Sequence, residues 1–467
     1  MRFVPPLPAR RLKISLFIVT AFGLLSCWPT HESSAAITTN GNLTPAYNGV
    51  EDPWNTGAAA LVIGDSHNGS IEVDAGSEIV SRETRLGVHQ GANGTLRISG
   101  DDSFYGVYLG GSVVGAEGLG AIEVLDGAGY YQSYLLKLGD SPGSFGSVTV
   151  SGEGSSWEQS AHALPGKSVY VGNAGRAELS VLDGADFLAS HLRIGVELGS
   201  NGNVVVSGAG STLHSNAFGD QGLLQVGMAG AGSLSVVEGG SVKFAGGGIS
   251  GGDQGELSRV VVSGLGSTLE LRALLIVGSE RSALLIVKEG SRFVSPGSLR
   301  IGNLHVDEKQ LGTVAVAGEN SLVSAHEINV GGHSNGLNSS GVLRVTHQAS
   351  VAVSGALDIA DLSGTPTGVY LHSSGSLALT GDTSASLEAF LDQIEGRSDA
   401  VYYPTPHGWR SITEATRGVD YTLDLIVGGE FDGYTRLTVL AVPEPAAGLL
   451  VLLAVSVIGC GRHGLCR

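Results

Sequence analysis

The amino-acid sequence predicts an all-β protein, a right-handed parallel β-helix (solenoid) of about a dozen coils with a small C-terminal cap and a terminal hydrophobic helix. Three features of the 467-residue chain lead to this reading: self-similarity at a fixed period, apolar residues spaced two apart, and 73 glycines against only 15% charged residues.

The repeat is the most informative of the three. Val150-Ser-Gly-Glu-Gly-Ser-Ser-Trp157, Val206-Ser-Gly-Ala-Gly-Ser-Thr-Leu213, Val262-Ser-Gly-Leu-Gly-Ser-Thr-Leu269 and Val316-Ala-Gly-Glu-Asn-Ser-Leu-Val323 begin 56, 56 and 54 residues apart. A second series interleaves with them: Val124-Leu-Asp-Gly-Ala-Gly-Tyr130, Val181-Leu-Asp-Gly-Ala-Asp-Phe187, Val236-Val-Glu-Gly-Gly-Ser-Val242 and Val287-Lys-Glu-Gly-Ser-Arg-Phe293. Self-similarity of this size signals stacked supersecondary units, none of which can bury its apolar row alone. Within a half-unit the order is a short strand ending in Gly, a polar turn, a second strand, a Gly turn and a third apolar touch. Leu192, Ile194 and Gly195, then Val204 and Val206, then Leu213, are one example. The next is Leu224, Val226 and Gly227, then Leu234 and Val236, then Val242. Apolar residues two apart with Ser, Arg, Gln or Asn between them read as strands with one buried face. Stacking is expected to put Ile194 near Val226 and to join such rows into a continuous inner ladder. The glycines that follow strands permit left-handed backbone at the corners.

High glycine also occurs in disordered linkers, but 42% of residues are apolar and the mean hydropathy is +0.19, enough for a core. The formal net charge of −18 and the lack of a Lys/Arg cluster outside the termini exclude a nucleic-acid partner. The three cysteines, Cys27, Cys460 and Cys466, all lie in terminal segments expected to be removed. The body is therefore expected to need neither disulfide nor Cys-bound metal.

Both ends read as addresses. Residues 1–36 carry Arg10, Arg11 and Lys13, then an apolar run over 14–25, then a polar stretch ending Ser34, Ala35, Ala36. That order is a secretory signal peptide, with cleavage expected between Ala36 and Ile37. Leu24-Leu25-Ser26-Cys27 also partly resembles a lipobox, which would make Cys27 a lipidated N-terminus. At the other end stand Pro443, Glu444 and Pro445, an apolar run over 446–460, and then Arg462 and Arg467. This order resembles the PEP-CTERM sorting signal of bacteria that secrete exopolysaccharide. The resemblance implies a transient membrane-anchored precursor, cleavage by an exosortase near the Pro-Glu-Pro motif, and release to the cell surface or extracellular matrix of a Gram-negative-type bacterium. Basic residues behind the apolar run keep the tail on the cytoplasmic side. Here the run is short and only His463 joins the two arginines, a departure that bears on processing more than on export. Losing residues 1–36 and 446–467 removes six basic and one acidic residue, which moves the charge from −18 to about −23.

The repeat wording over about 58–380 also resembles the unit shared by autotransporter passenger domains and PEP-CTERM proteins. An autotransporter requires a large C-terminal membrane barrel, and the few residues between the last coil and Pro443 leave no room for one. The chain therefore divides into a signal peptide (1–36), an N-terminal lead-in (37–57), the repeat solenoid (58–380), a C-terminal cap (381–441) and the sorting signal (442–467). Within the cap a short helix is expected over 386–395 and strands over 420–426 and 433–439.

Motifs for catalysis are weak. Gly139-Asp-Ser141-Pro-Gly143, Gly248-Ile-Ser250-Gly-Gly252 and Gly332-His-Ser334-Asn-Gly336 match the nucleophile-elbow pattern, yet none precedes a helical sequence. Gly246, Gly248 and Gly251 satisfy a dinucleotide-loop spacing in the same unsuitable context. No histidine pair has metal-ligand spacing, and turns holding Asp101, Asp102, Asp183 or Asp186 lack a calcium-repeat pattern. No catalytic, cofactor-binding or metal-binding residue is therefore assigned, no cofactor is expected, and the chain is read as a non-enzyme. The expected function is that of an exported structural or adhesive surface or matrix protein associated with exopolysaccharide. Its processing partners are signal peptidase and exosortase. One alternative is a carbohydrate-binding module whose Tyr105, Tyr108, Tyr130, Tyr131, Tyr134 and Trp157 stack on sugars, unless those rings serve as coil-end packing and rim. The other is a β-helix polysaccharide lyase or hydrolase, which needs carboxylates and a Lys or Arg converging on one face.

Overall fold

The computed structural model describes residues 36–160, 167–215, 222–252, 257–279, 281–302, 311–334, 337–362 and 367–440. Cys27 and the C-terminal address, with Pro443, Glu444, Pro445, Arg462 and Arg467, lie outside the described residues, as does the expected terminal helix. Among the described residues no helix is long and apolar enough to cross a membrane.

The fold is all-β, a solenoid of about 11 turns. Each typical coil contains three strands. Leu192–Ile194, Asn201–Ser207 and Thr212–Ser215 form one coil, and Leu223–Val226, Ala231–Val237 and Ser241–Phe244 form the next. The third apolar touch of the repeat is thus a strand in its own right. Equivalent strands stack in parallel and in register: Ile194 opposes Val226, Val206 opposes Val236, and Leu213 opposes Val242. The stack of longest strands runs in parallel from Gly69–Asp74 to Val401–Thr405. Its two inward columns pass through Ile71, Leu96 and Ile122, and through Val73, Ile98 and Val124, all essentially inaccessible to solvent. In two later coils the shorter strands fuse, as Arg292–Ile301 and Leu322–Val330.

Glycine at the first corner is required by space as well as by backbone conformation. Gly195 has φ +66°, and a Cβ there would lie 2.2 Å from the Ala231 carbonyl oxygen. The chain turns this corner so close to the next coil that no other residue fits.

The alternation of the two repeat sub-patterns has a structural cause at the second corner. In the Asp-Gly type of turn, Asp126, Asp183, Glu238 and Glu289 adopt left-handed backbone, and the N–H of the next glycine points toward the following coil. Gly127, Gly184, Gly239 and Gly290 donate these N–H groups to the hydroxyls of Ser155, Ser211, Ser267 and Ser321 at 2.9–3.0 Å. The same serines donate to a carbonyl four residues earlier in their own turn. In return, Ser151, Ser207 and Ser263 donate to the carboxylates of Asp183, Glu238 and Glu289 in the following coil. One turn type supplies the orphan donor and the acid, the other the hydroxyls, so the sequence repeats every second coil.

Both ends of the parallel stacks carry antiparallel strands. Ala36–Gly41 lies on Gly69–Asp74, with Ile37 opposite Val73 and packed on the core. At the far end Gly408–Ser411 folds back on Val401–Thr405, and Tyr434–Val439 lies antiparallel to both Ser376–Thr380 and Tyr421–Leu425. The helix is Leu387–Leu391, shorter than the expected span, because Ile394–Gly396 rejoins the parallel stack beside Leu357–Ile359. The parallel ladder therefore extends beyond residue 380. The last segment also covers the side of the solenoid: Ile426, Phe431 and Tyr434 pack over outward-facing Leu322, Ala352 and Ala378, and Glu430 pairs with Arg292.

Candidate functional site

The serines of the three elbow-like motifs sit in ordinary parts of the coil. Ser141 belongs to a turn closed on itself, its N–H donating to Ser144 Oγ and its carbonyl accepting from the same hydroxyl. Ser250 is buried with its hydroxyl directed to the Gly251 carbonyl. Ser334 ends a short strand, Gly332–Ser334, paired to Leu337–Thr346. Gly246 and Gly248 lie within a strand, Gly246–Ile249, instead of a phosphate-binding loop. Asp183 is engaged as a turn residue by Ser151. Among the described residues no group of three His, Cys, Asp or Glu is placed to hold a metal ion.

The six aromatic residues singled out from the sequence divide into two sets. Tyr105, Tyr130 and Trp157 face inward and are almost wholly buried. They form one stack with Phe187, with centroid separations of 5.1, 3.7 and 5.4 Å and interplanar angles of 15°, 7° and 10°. The Tyr130 hydroxyl meets Ser112 Oγ at 2.7 Å, and that of Tyr105 meets Thr84 Oγ1 at 2.7 Å. These rings cannot stack on a ligand. The sequence carried the signal: Tyr130 and Trp157 occupy the repeat positions of Phe187 and Leu213, and parity along a strand sends all four inward.

Tyr108, Tyr131 and Tyr134 remain outside. Tyr108 and Tyr131 have ring centroids 5.2 Å apart at 34°. Their floor is Gly106, which is in register with Tyr131; a Cβ on Gly106 would meet Tyr108 Cε2 at 2.5 Å and Phe104 Cε1 at 3.1 Å. The rings of Phe104 and Tyr108 thus lie over bare backbone, and Gly106 is the residue that lets them do so. Tyr134 is 43% exposed, and its carbonyl accepts from the side-chain amides of Gln132 and Gln159, two residues stacked in register. Those buried amides hold the Tyr134 turn against the coil.

Polar groups continue this shelf along the outer face. Glu158 is the register neighbour of Tyr131, and Asp186 lies in the next strand, where it accepts from Thr212 and lies 3.2 Å from His214 Nδ1. Partial burial, with Asp186 second, raises the Glu158 carboxyl above its usual range. Partial burial, with Glu78, Tyr131 and Glu158 following, raises the Tyr108 hydroxyl likewise. The result is an aromatic floor beside hydrogen-bonding carboxyl groups. Such a surface suits a flat ligand with one apolar face and many hydroxyls. Phe104, Glu158 and His214 were not singled out from the sequence, and Asp186 was weighed there only as a turn residue. Their juxtaposition joins residues 104–214 across successive coils and leaves no local motif.

Comparison of the chain with protein-family models, with curated proteins and with solved structures finds no match in any of the three. The functional reading therefore rests on the chain's own geometry and on its terminal motifs.

Proposed function

We propose that this chain is an exported, non-catalytic surface or extracellular-matrix protein, structural or adhesive in role and associated with exopolysaccharide. The observation that carries the reading is the division of labour in each coil. Inward residues of the longest strands form a continuous apolar ladder, while repeated outward carboxylates such as Asp183, Glu238 and Glu289 are tied to serines of the preceding coil. The chemistry of the surface is thereby spent on stacking, as a stiff scaffold requires.

In this reading signal peptidase cuts between Ala36 and Ile37, and exosortase cuts near Pro443, Glu444 and Pro445, with Arg462 and Arg467 retained behind. Both cuts leave the solenoid's buried residues in place, since these run from Trp54 to Val439. Right-handed winding is the sense in which parallel strands are nearly always connected. The antiparallel segments of 381–441 serve as a cap, because the outermost strand of a stack otherwise presents unpaired N–H and C=O groups. The test is made in the native host: changing Pro443 and Glu444 to Ala traps the protein in the membrane fraction with its C-terminal peptide attached. Finding Arg467 on the wild-type surface protein by mass spectrometry would show that the segment is an anchor instead.

The shelf of Phe104, Tyr108 and Tyr131 beside Glu158 favours a second reading, a carbohydrate-binding module. Tyr131→Ala then lowers retention on an immobilised neutral polysaccharide while leaving the far-ultraviolet circular dichroism spectrum unchanged. Polysaccharide turnover by purified protein, abolished by Glu158→Gln, would overturn the non-catalytic assignment.

A further inference from the structure

The outward row of the longest strands changes character along the solenoid. Near the N-terminal end it alternates in charge, with Arg97 between Glu72 and Glu123 at 3.5 and 3.2 Å. Farther on it passes through Val261, Ile286 and Ala315, and then reaches Arg344, Tyr370 and Tyr402 in successive coils. Trp409, on the strand that folds back over Tyr402, completes this last group and is 46% exposed. Trp54 and Trp157, by contrast, are buried.

The rings form a corner. Tyr370 and Tyr402 stack with centroids 4.9 Å apart at 27°, and Trp409 stands at 89° to Tyr370 with centroids 5.1 Å apart. Arg344 is exposed and holds its guanidinium over the Tyr370 ring at 6.0 Å. Arg292, Arg397 and Arg410 each lie against a carboxylate, whereas Arg344 has no carboxylate partner among the described residues. In a chain with net charge −18, a guanidinium kept for a ring instead of an acid leaves its donors available to an anion.

We infer that Arg344, Tyr370, Tyr402 and Trp409 form a binding site for an acidic saccharide carrying a uronate group. A pyranose presents an apolar C–H face to an aromatic ring, while its carboxylate accepts the planar N–H pair of a guanidinium. A single arginine does not suit a nucleic acid, which needs a row of cations. At about 4.8 Å per coil, Arg344 and Tyr402 stand about 10 Å apart along the stack, room for consecutive sugar units. The inference deepens the polysaccharide-associated reading above, but its test is made in solution and does not depend on where the host delivers the protein.

The experiment titrates purified full-length protein with oligogalacturonate and follows tryptophan fluorescence, with Trp409→Phe identifying the signal of Trp409. The expected result is saturable quenching that Arg344→Gln weakens by about tenfold, the loss of one charged hydrogen-bond partner. Trp409→Ala weakens binding of the same probe as read by calorimetry, and methyl-esterified oligogalacturonate binds about tenfold more weakly than the free acid. Both variants face outward and retain the wild-type melting temperature. Absence of saturable binding, wild-type affinity in Arg344→Gln, or equal affinity for the methyl ester would each overturn the site. Equal affinity for poly-glutamate would also overturn it, by showing a general anion site and not a saccharide site.

Discussion

The Gly184 N–H donates to Ser211 Oγ at 2.9 Å, across a coil boundary, while the same hydroxyl donates to the Ser207 carbonyl at 2.6 Å. Ser211 is buried, so removing its hydroxyl strands the Gly184 N–H, while the Ser207 carbonyl keeps only the N–H of Asp183. Ser211→Ala is expected to cost about 1–3 kcal/mol in urea denaturation, the range for an unsatisfied buried polar group. Ser235→Ala, on the outward face of a strand, is the control and changes little.

The interlock predicts which deletions the solenoid tolerates. Removing residues 206–261 takes out two coils and sets the turn of Asp183 and Gly184 against that of Ser267, which can cap it as Ser211 does. Removing residues 206–235 takes out one coil and sets two turns of the acid-glycine type against each other, so that Gly184 loses its hydroxyl acceptor. The first variant is expected to melt cooperatively close to the wild-type temperature and the second clearly below it. Equal melting temperatures would mean that the serine bridges do not set the two-coil period.

Val236 is fully buried between Val206 and Val262, while Ser235 beside it faces outward. Val236→Asp puts an unpaired carboxylate in the inner ladder and is expected to destabilise by more than about 4 kcal/mol. Ser235→Asp changes stability by less than about 0.5 kcal/mol, as surface substitutions usually do. Comparable damage from the two, measured by denaturant unfolding, would refute the assignment of faces.

Alkaline pH should unfold the protein through its buried tyrosines. Burial pushes the Tyr105 hydroxyl up to about 12 from its ordinary 10.0, despite opposing hydrogen bonds from Ser81 and Thr84. Burial, with Tyr105 second, also raises Tyr130 well above that value. Between pH 10 and 12 the unfolded chain releases phenolic protons that the folded chain retains. The stabilising contribution is therefore complete below about pH 10 and is lost as pH rises through the folded value. Stability measured against pH should fall over that window, with the tyrosinate absorbance contributed by Tyr105 and Tyr130 appearing together with loss of the β-sheet spectrum. Tyr105→Phe and Tyr130→Phe should flatten this limb.

The coil is written in the periodicity of the chain: the recurring Val-x-Val parity and the 54- and 56-residue spacings specify which side chains face inward and which strands become neighbours. Parity is a local property of extended backbone, and a constant period turns it into register, so the pairing of Ile194 with Val226 is legible in the chain alone. Three features arise from contacts between coils and are not local to the sequence. The two-coil alternation became a reciprocal set of hydrogen bonds, because an αL acid and the next glycine need partners that only the adjacent turn can supply. The aromatic residues were sorted into a buried stack and an exposed shelf, although Tyr130 and Tyr131 are adjacent in sequence. Arg344, Tyr370 and Trp409 came together because stacking and a terminal antiparallel strand bring to one face residues whose separation in the chain obeys no motif.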